Sequence, residues 1–266
     1  MRQDYHTHTF RCQHAQGDVM DYAAVAAQKG LHVLGVTDHT PLPQPFPNSR
    51  WMMIRMGLSE LDSYDQAIET ARLAYPELKI LKGMECEYSA ELLPFYREEL
   101  LAKRKFDYLI LGNHFFPSGR KWIGAHSHIK GRKDLIAFAE HTVAAMATGV
   151  FAFIAHPDLF GNSYELWDEH TIECTKLILD AAVAYHVPLE INAYGLRKEP
   201  LITKAGPRPP YPLAPFWELA ATYPGVRVVV NSDAHQPADV GEITAVEEIR
   251  QKYGLQLADL SYLGEK

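Results

Sequence analysis

The chain has 266 residues, of which 47% are hydrophobic, and a formal net charge of −7. This length can bury a substantial core, and we expect a single domain over residues 1–266. The acidic balance disfavours nonspecific nucleic-acid binding, which needs a basic surface. The three cysteines are scattered without a CxxC pair, which disfavours disulfides and a thiolate zinc site. No basic and apolar leader or membrane-length apolar run is found, so we expect a soluble, cytoplasmic protein without a membrane partner.

Short apolar runs alternate along the chain with longer amphipathic or alanine-rich stretches. The strands are predicted at 2–5, 33–36, 79–84, 107–112, 151–155, 187–191 and 226–230. The helices are predicted at 18–29, 59–75, 91–104, 132–148, 168–185, 213–223 and 239–253. Such alternation predicts an α/β fold with a parallel sheet, and seven units favour a closed barrel over an open sheet. Two proline-rich segments, 40–58 and 195–215, are predicted to be loops at one end of the barrel.

Every predicted strand delivers a potential metal ligand near its C-terminal end. In chain order these residues are His6 and His8, Asp38 and His39, Glu85 and Glu87, His114, His156 and Asp158, Glu190 and Asn192, and Asp233 and His235. The C-terminal ends of parallel barrel strands meet at one rim, where active sites lie. A single histidine there is usually structural, but this concentration of polar groups needs a compensating charge. We therefore predict a multinuclear site for zinc, iron or manganese at this rim.

Six of the 13 histidines do not follow a predicted strand in this way. Those in or beside predicted helices or at strand starts are interpreted as structural: His32, His141, His170 and His186. His126 and His128 follow the loop after His114, which favours a role at the surface or in a substrate loop.

Six short motifs, in this order, resemble those of the PHP (polymerase and histidinol phosphatase) superfamily. They are "HTH" at 6–8, "TDH" at 37–39, "GMECEY" at 83–88, "GNH" at 112–114, "AHPDL" at 155–159 and "SDAH" at 232–235. Within the superfamily, "GLHVLGVTDHTPLP", "IAHPDLF" and "EINAYGLRKE" resemble the stand-alone histidinol-phosphate phosphatase branch. The resemblance implies a distorted (β/α)7 barrel with three divalent metal ions at the C-terminal rim of the strands.

The resemblance also implies a ligand set. The first ion would be held by His6, His8, Glu85 and Asp233, the second by His14, His39 and His235, and the third by Glu85, His114 and His156. Glu87 competes with Glu85, because either carboxylate could face inwards at an irregular strand end.

The reaction that this resemblance implies is hydrolysis of a small phosphomonoester, L-histidinol phosphate first among them, by a metal-bridging hydroxide. Asp233 or Asp38 would protonate the leaving alkoxide. Arg197, Lys198 and Arg55 are the candidate phosphate contacts, with Arg197 ranked first because arginine binds phosphate bidentately. The sequence departs from the branch after "AHPDL", where "FGNSYELWDEH" lacks the expected basic residue.

Three alternatives remain open at this point. One keeps the chemistry but changes the substrate to another phosphomonoester or a nucleotide. A second is a non-enzymatic, metal-stabilised accessory module, which would be expected to have lost ligands. The third, a metal-dependent amidohydrolase, also begins with HxH but normally has an eighth βα unit and often a metal-bridging lysine.

Overall fold

The computed structural model describes residues 2–43, 53–204 and 206–265. These residues form two compact units. The first comprises residues 1–110, 231–243 and 260–266, and the second residues 111–230 and 244–259. Much of the predicted loop 40–58 lies outside the described residues.

The first unit contains a sheet with the strand order β1-β2-β3-β4. These strands are β1 Gln3–Asp4, β2 Val33–Val36, β3 Lys79–Cys86 and β4 Tyr108–Leu111. β1 pairs with β2, and β2 with β3, in parallel register. Two further parallel bridges lie between Thr7 and Ala234 and between His39 and Glu85. Thr7 follows β1, His39 follows β2, and Glu85 lies in the last part of β3, so the bridges bring these strand ends next to one another.

Helices connect these strands, as the sequence predicts. α1 (Val19–Gln28) starts at Asp18, whose side chain forms a reciprocal capping box with Asp21. α2 (Leu61–Ala74) precedes β3, and a π-helical segment, Phe95–Lys103, lies where a helix over 91–104 is predicted. The apolar faces of α1 and α2 bury Tyr22 and Tyr64 completely.

The second unit contains a sheet with the order β11-β10-β7. Its elements begin with the antiparallel hairpin β5 Phe115–Ser118 and β6 Lys121–Gly124, α3 Arg132–Met146, α4 Glu169–Tyr185, β7 Leu189–Asn192 and α5 Tyr194–Arg197. They continue with the hairpin β8 Leu201–Thr203 and β9 Gly206–Arg208, α6 Ala214–Ala220, β10 Arg227–Asn231, α7 Thr244–Lys252 and β11 Gln256–Leu257.

The predicted alternation of strands and helices is confirmed, with three corrections. The predicted strand 151–155 is reduced to bridges from Ile154 to Leu111 and Leu189. The hairpin β5–β6 was not predicted, and the predicted loop 195–215 contains the hairpin β8–β9 and the start of α6. Within the described residues, no helix combines the length and the apolar character needed to cross a bilayer.

Candidate metal centre

The two histidines of the "HTH" motif converge with two carboxylates in the first unit. His6 Nε2 and His8 Nε2 lie 3.0 Å apart. Glu85 Oε2 is 3.5 Å from His6 Nε2 and 3.4 Å from His8 Nε2. Asp233 Oδ1 is 3.5 Å and 3.2 Å from the same two nitrogens. All four side chains are buried, so we call them the buried quartet.

The four nitrogen–oxygen separations within the buried quartet are close to the edges of a metal coordination tetrahedron. A tetrahedral zinc ion with ligands at about 2.0–2.1 Å places neighbouring ligand atoms about 3.3–3.4 Å apart. A direct hydrogen bond between a protonated imidazole and a carboxylate would instead be about 2.7–2.9 Å long. The nitrogen–oxygen distances of 3.2–3.5 Å are those of ligands around a common ion. The residues present therefore fit a divalent metal.

The pKa shifts within the buried quartet also favour a bound cation. Burial alone would lower the pKa of His8, but Asp233, Cys12 and Glu85 together raise it to about 10. Burial opposes ionisation of Asp233, yet the surrounding histidines hold the pKa of this carboxyl well below its usual range. The cluster thus stabilises positive charge at its centre, and a divalent cation supplies that charge.

A second group of imidazoles, His14, His39 and His235, lies beside the quartet. His14 Nε2 and His235 Nε2 are 3.0 Å apart. His14 Nδ1 faces the Cys12 carbonyl oxygen at 2.7 Å, and His235 Nδ1 faces that of Asp233 at 3.0 Å. A carbonyl oxygen only accepts hydrogen bonds, so each Nδ1 donates its proton to that oxygen and each ring turns its Nε2 towards the other.

His39 completes this second group from the end of β2. Its ring is stacked on that of His14, with centroids 5.4 Å apart, and its Nδ1 is 3.0 Å from Glu85 Oε2. Burial and the neighbouring His8 hold the pKa of His235 well below its ordinary value, which keeps this imidazole neutral. Neutral imidazoles with converging Nε2 atoms are the form that binds a metal.

Asp38 supports the turn that carries the first histidines. Its Oδ1 accepts a hydrogen bond from Thr9 N at 2.7 Å and its Oδ2 one from Thr9 Oγ1 at 2.6 Å. Its Oδ1 is also 4.0 Å from His8 Nδ1. Burial raises the pKa of Asp38 to about 6 although these contacts act against it.

Asp4 is a site residue that the sequence interpretation missed. This fully buried carboxylate accepts hydrogen bonds from Ser232 N at 3.1 Å, from Ser232 Oγ and from Gly241 N at 2.9 Å. It thereby ties the strand before His6 to the segment that carries Asp233. The available signal was an acidic residue in the first predicted strand, two positions before the "HTH" motif.

The structure separates the roles of the two glutamates in "GMECEY". Glu85 contacts the histidines, as described, whereas Glu87 Oε1 accepts a hydrogen bond from Arg55 Nη2 at 3.1 Å. Arg55 is buried and also donates to the Thr40 carbonyl oxygen at 3.0 Å. The charge of Arg55 is thus balanced inside the protein, and its predicted contact with phosphate stays a prediction.

The second unit holds two further predicted ligands. The rings of His114 and His156 are 5.0 Å apart between centroids, and His126 stacks on His114 at 5.6 Å. Glu190 Oε2 accepts a hydrogen bond from His156 N at 3.0 Å and one from Asn192 Nδ2 at 2.8 Å. Glu190 and Asn192, which the strand-end pattern singled out, therefore support the backbone at His156.

Asp158, the acidic residue of "AHPD", is completely buried. Its Oδ2 accepts hydrogen bonds from Leu213 N at 2.6 Å and from Trp217 Nε1 at 3.1 Å. Burial raises its pKa to about 7. Asp158 anchors the segment that leads into α6, next to Tyr211.

The predicted phosphate contacts Arg197 and Lys198 lie among aromatic rings of the second unit. Lys198 Nζ is 4.6 Å from the ring centroid of Tyr194 and 4.9 Å from that of Tyr211, and the guanidinium of Arg197 lies over Tyr194 at 5.5 Å. The Tyr211 ring is in turn 5.8 Å from that of His156. Cation–π contacts of this kind hold both cations near a predicted metal ligand.

Comparison with known proteins shows the family to which the chain belongs. The PHP domain matches residues 4–194, and the chain belongs to this family. It is 30% identical over 264 residues to a protein of Deinococcus radiodurans named "Probable histidinol-phosphatase", covering 94% of both chains. A Schizosaccharomyces pombe protein of the same name is 26% identical, with 89% of this chain and 81% of that protein covered.

A solved structure shows the same fold at low identity. The histidinol phosphate phosphatase of Lactococcus lactis, crystallised with zinc, L-histidinol and phosphate, superposes with a TM-score of 0.72 at 16% identity. The match covers 97% of this chain and 95% of that one. The predicted α/β fold of the PHP superfamily is confirmed.

Seven of the nine predicted ligands converge in the first unit: His6, His8, His14, His39, Glu85, Asp233 and His235. The other two, His114 and His156, are neighbours in the second unit. The number of ions and the ligands of each stay predictions.

Proposed function

We propose that the protein is a metal-dependent phosphomonoesterase that hydrolyses L-histidinol phosphate to L-histidinol and phosphate, a step of histidine biosynthesis. The observation that carries the proposal is the buried quartet, with ligand atoms of His6, His8, Glu85 and Asp233 spaced as around one ion. Membership of the PHP family and the names of the relatives support the reaction class and the substrate.

In this proposal the quartet holds one divalent ion, and His14, His39 and His235 hold a second. His114 and His156 supply ligands to a third. When bound, such ions lower the pKa of water towards 7 and neutralise charge on phosphoryl oxygens. The mixed imidazole and carboxylate donors are typical of sites for zinc, iron or manganese.

Arg197 and Lys198 bind the phosphate oxygens that the metals do not reach. The tyrosine rings around Lys198 limit the positions of its long side chain, so less conformational entropy is lost when an anion binds. Asp38 and Asp233 stay the two candidate proton donors for the leaving alkoxide. Burial raises the pKa of Asp38, whereas the surrounding histidines hold the pKa of Asp233 well below its usual range.

The substrate assignment draws on the relatives. Two of them carry the name of a histidinol phosphatase, and the Lactococcus protein was crystallised with L-histidinol and phosphate. A phosphoesterase that acts on another small phosphomonoester or on a nucleotide is the alternative.

The test is phosphate release by the metal-reconstituted protein from L-histidinol phosphate and from a panel of other phosphomonoesters and nucleotides. We expect turnover selective for L-histidinol phosphate, lost in His8→Ala and retained in His170→Ala, which removes a histidine of α4 outside both clusters. Turnover of other esters alone would overturn the substrate. If the metal-loaded protein released no phosphate from any ester, the proposed phosphatase activity would be overturned.

A further inference from the structure

The second group of imidazoles has a sulfur neighbour that no predicted ligand set includes. Cys12 is completely buried, and its Sγ lies 4.0 Å from His14 Nε2. Cys12, His14 and His235 each offer one donor atom within 4.8 Å of the other two. A thiolate zinc site was disfavoured from the sequence because the three cysteines are far apart, but the fold provides histidine partners instead.

A short turn places this thiol. Phe10–Cys12 form one turn of 3-10 helix that Thr9 caps and that ends at Gln13, whose φ of +66° is left-handed. This reversal brings Cys12 and His14 to the same side, and the hydrogen bond from His14 Nδ1 to the Cys12 carbonyl oxygen fixes the ring. Its Nε2 therefore points to the space shared with Cys12 Sγ and His235 Nε2.

A second observation points to a ligand at this place. The Nε2 atoms of His14 and His235 face each other at 3.0 Å, an arrangement that a shared cation stabilises. On the other side of the thiol, the buried His8 Nδ1 has no hydrogen-bond partner among the described residues. His8, Cys12 and Asp38 also offer donor atoms within 4.8 Å of one another.

We propose that Cys12 is a thiolate ligand of the second metal ion, together with His14 and His235. The inference rests on the metal centre of the proposed function but not on its substrate. On binding, the S–H bond breaks, the sulfur keeps the electron pair for the metal–sulfur bond, and the proton leaves to solvent. In a tetrahedral site, a sulfur at about 2.3 Å and a nitrogen at about 2.05 Å lie about 3.6 Å apart, so Cys12 Sγ needs a shift of about 0.4 Å.

A thiolate changes what the second ion can be. Soft sulfur ligands select zinc or other soft metals over magnesium and manganese. The second site would therefore hold zinc while the all-nitrogen and oxygen quartet accepts harder ions. A metal-bound, buried thiolate is also shielded from alkylation.

Cobalt substitution tests the assignment without an activity assay. Co²⁺ bound by a thiolate gives a sulfur-to-metal charge-transfer band in the near ultraviolet. We expect this band in the cobalt-loaded wild-type protein and in Cys174→Ser, which removes a buried thiol of α4, but not in Cys12→Ser. Absence of the band from the wild type, or its survival in Cys12→Ser, would overturn the proposal.

A second measurement covers the case in which Cys12→Ser does not fold. The double variant Cys86→Ser/Cys174→Ser leaves Cys12 as the sole thiol, because the chain has three cysteines. X-ray absorption at the zinc edge of this variant should show a sulfur neighbour at about 2.3 Å. A shell of nitrogen and oxygen alone would overturn the thiolate while leaving the phosphatase reaction untouched.

Discussion

His14 Nε2 and His235 Nε2 lie 3.0 Å apart although the Nδ1 of each ring faces a backbone carbonyl oxygen. Both rings are therefore fixed by a donating Nδ1, with their Nε2 atoms turned towards each other. A cation between two imidazole nitrogens at this distance stabilises the pair. The buried quartet likewise brings two imidazoles and two carboxylates close together. Metal binding and stability should therefore be coupled.

Removal of the metals is expected to lower the thermal stability of the protein. Chelation leaves the buried carboxylates and imidazoles of the quartet without their compensating charge. A ligand present at 100 times its dissociation constant contributes about 2.7 kcal/mol, which corresponds to a fall of roughly 5–10 °C in Tm on its removal. Calorimetry of chelated and zinc-reloaded protein measures this difference. Equal Tm values for the two forms would contradict the account.

The two neighbouring glutamates should differ in what their loss affects. Glu85→Gln removes a ligand, so we expect it to lower the bound metal per chain, measured by elemental analysis. Glu87→Gln leaves Arg55 buried beside a neutral amide, and we expect a loss of about 3–5 kcal/mol in unfolding free energy with the metal content retained. Denaturant unfolding provides the second quantity. The opposite pattern would show that Glu87 is the ligand.

Asp4 is expected to stabilise the fold around the metal centre. Asp4→Ala leaves the buried N–H groups of Ser232 and Gly241 without acceptors, and each such group costs about 1–3 kcal/mol. We therefore expect a loss of about 3 kcal/mol or more in unfolding free energy. Asp62→Ala is the control, since its side chain is 87% exposed and its ion pair with Arg104 lies at the surface. If Asp4→Ala and Asp62→Ala lowered the unfolding free energy by similar amounts, the stabilising role of Asp4 would be refuted.

Arg197 and Lys198 are expected to act on substrate binding more than on the chemical step. Loss of one charge-assisted contact of about 1.5–3 kcal/mol lowers kcat/KM about 10–100-fold. Steady-state kinetics of Arg197→Ala and Lys198→Ala should show this mainly as a raised KM for L-histidinol phosphate. Lys176→Ala, at an exposed position of α4, should leave the kinetics unchanged. KM values equal to that of the wild type in both variants would show that neither residue binds the phosphate.

The parts of the fold that could be predicted are those with strong local patterns. β2 was predicted at its observed bounds, and α4 was predicted within one residue, because continuous apolar runs and helical periodicity decide them locally. The hairpin β5–β6 was not predicted, because the residues before its turn at Gly119 and Arg120 show no regular alternation of apolar and polar side chains.

Part of the candidate site could also be predicted from the sequence. The sequence placed His6, His8, His39 and Asp233 at strand ends, and parallel strands bring such ends together. The partners of Asp4, Arg55 and Cys12 were not, because Ser232, Glu87 and His235 are distant in the chain and only the fold brings them close. The choice between Glu85 and Glu87 likewise depended on which side chain Arg55 neutralises.

The central claim is that the buried quartet is a metal site, and anomalous diffraction at the zinc edge from crystals of the zinc-loaded protein tests it most directly. The account predicts an anomalous peak about 2.0–2.1 Å from His6 Nε2, His8 Nε2, Glu85 Oε2 and Asp233 Oδ1. A zinc-loaded crystal without a peak among these four atoms, or with hydrogen bonds joining them directly, would contradict it.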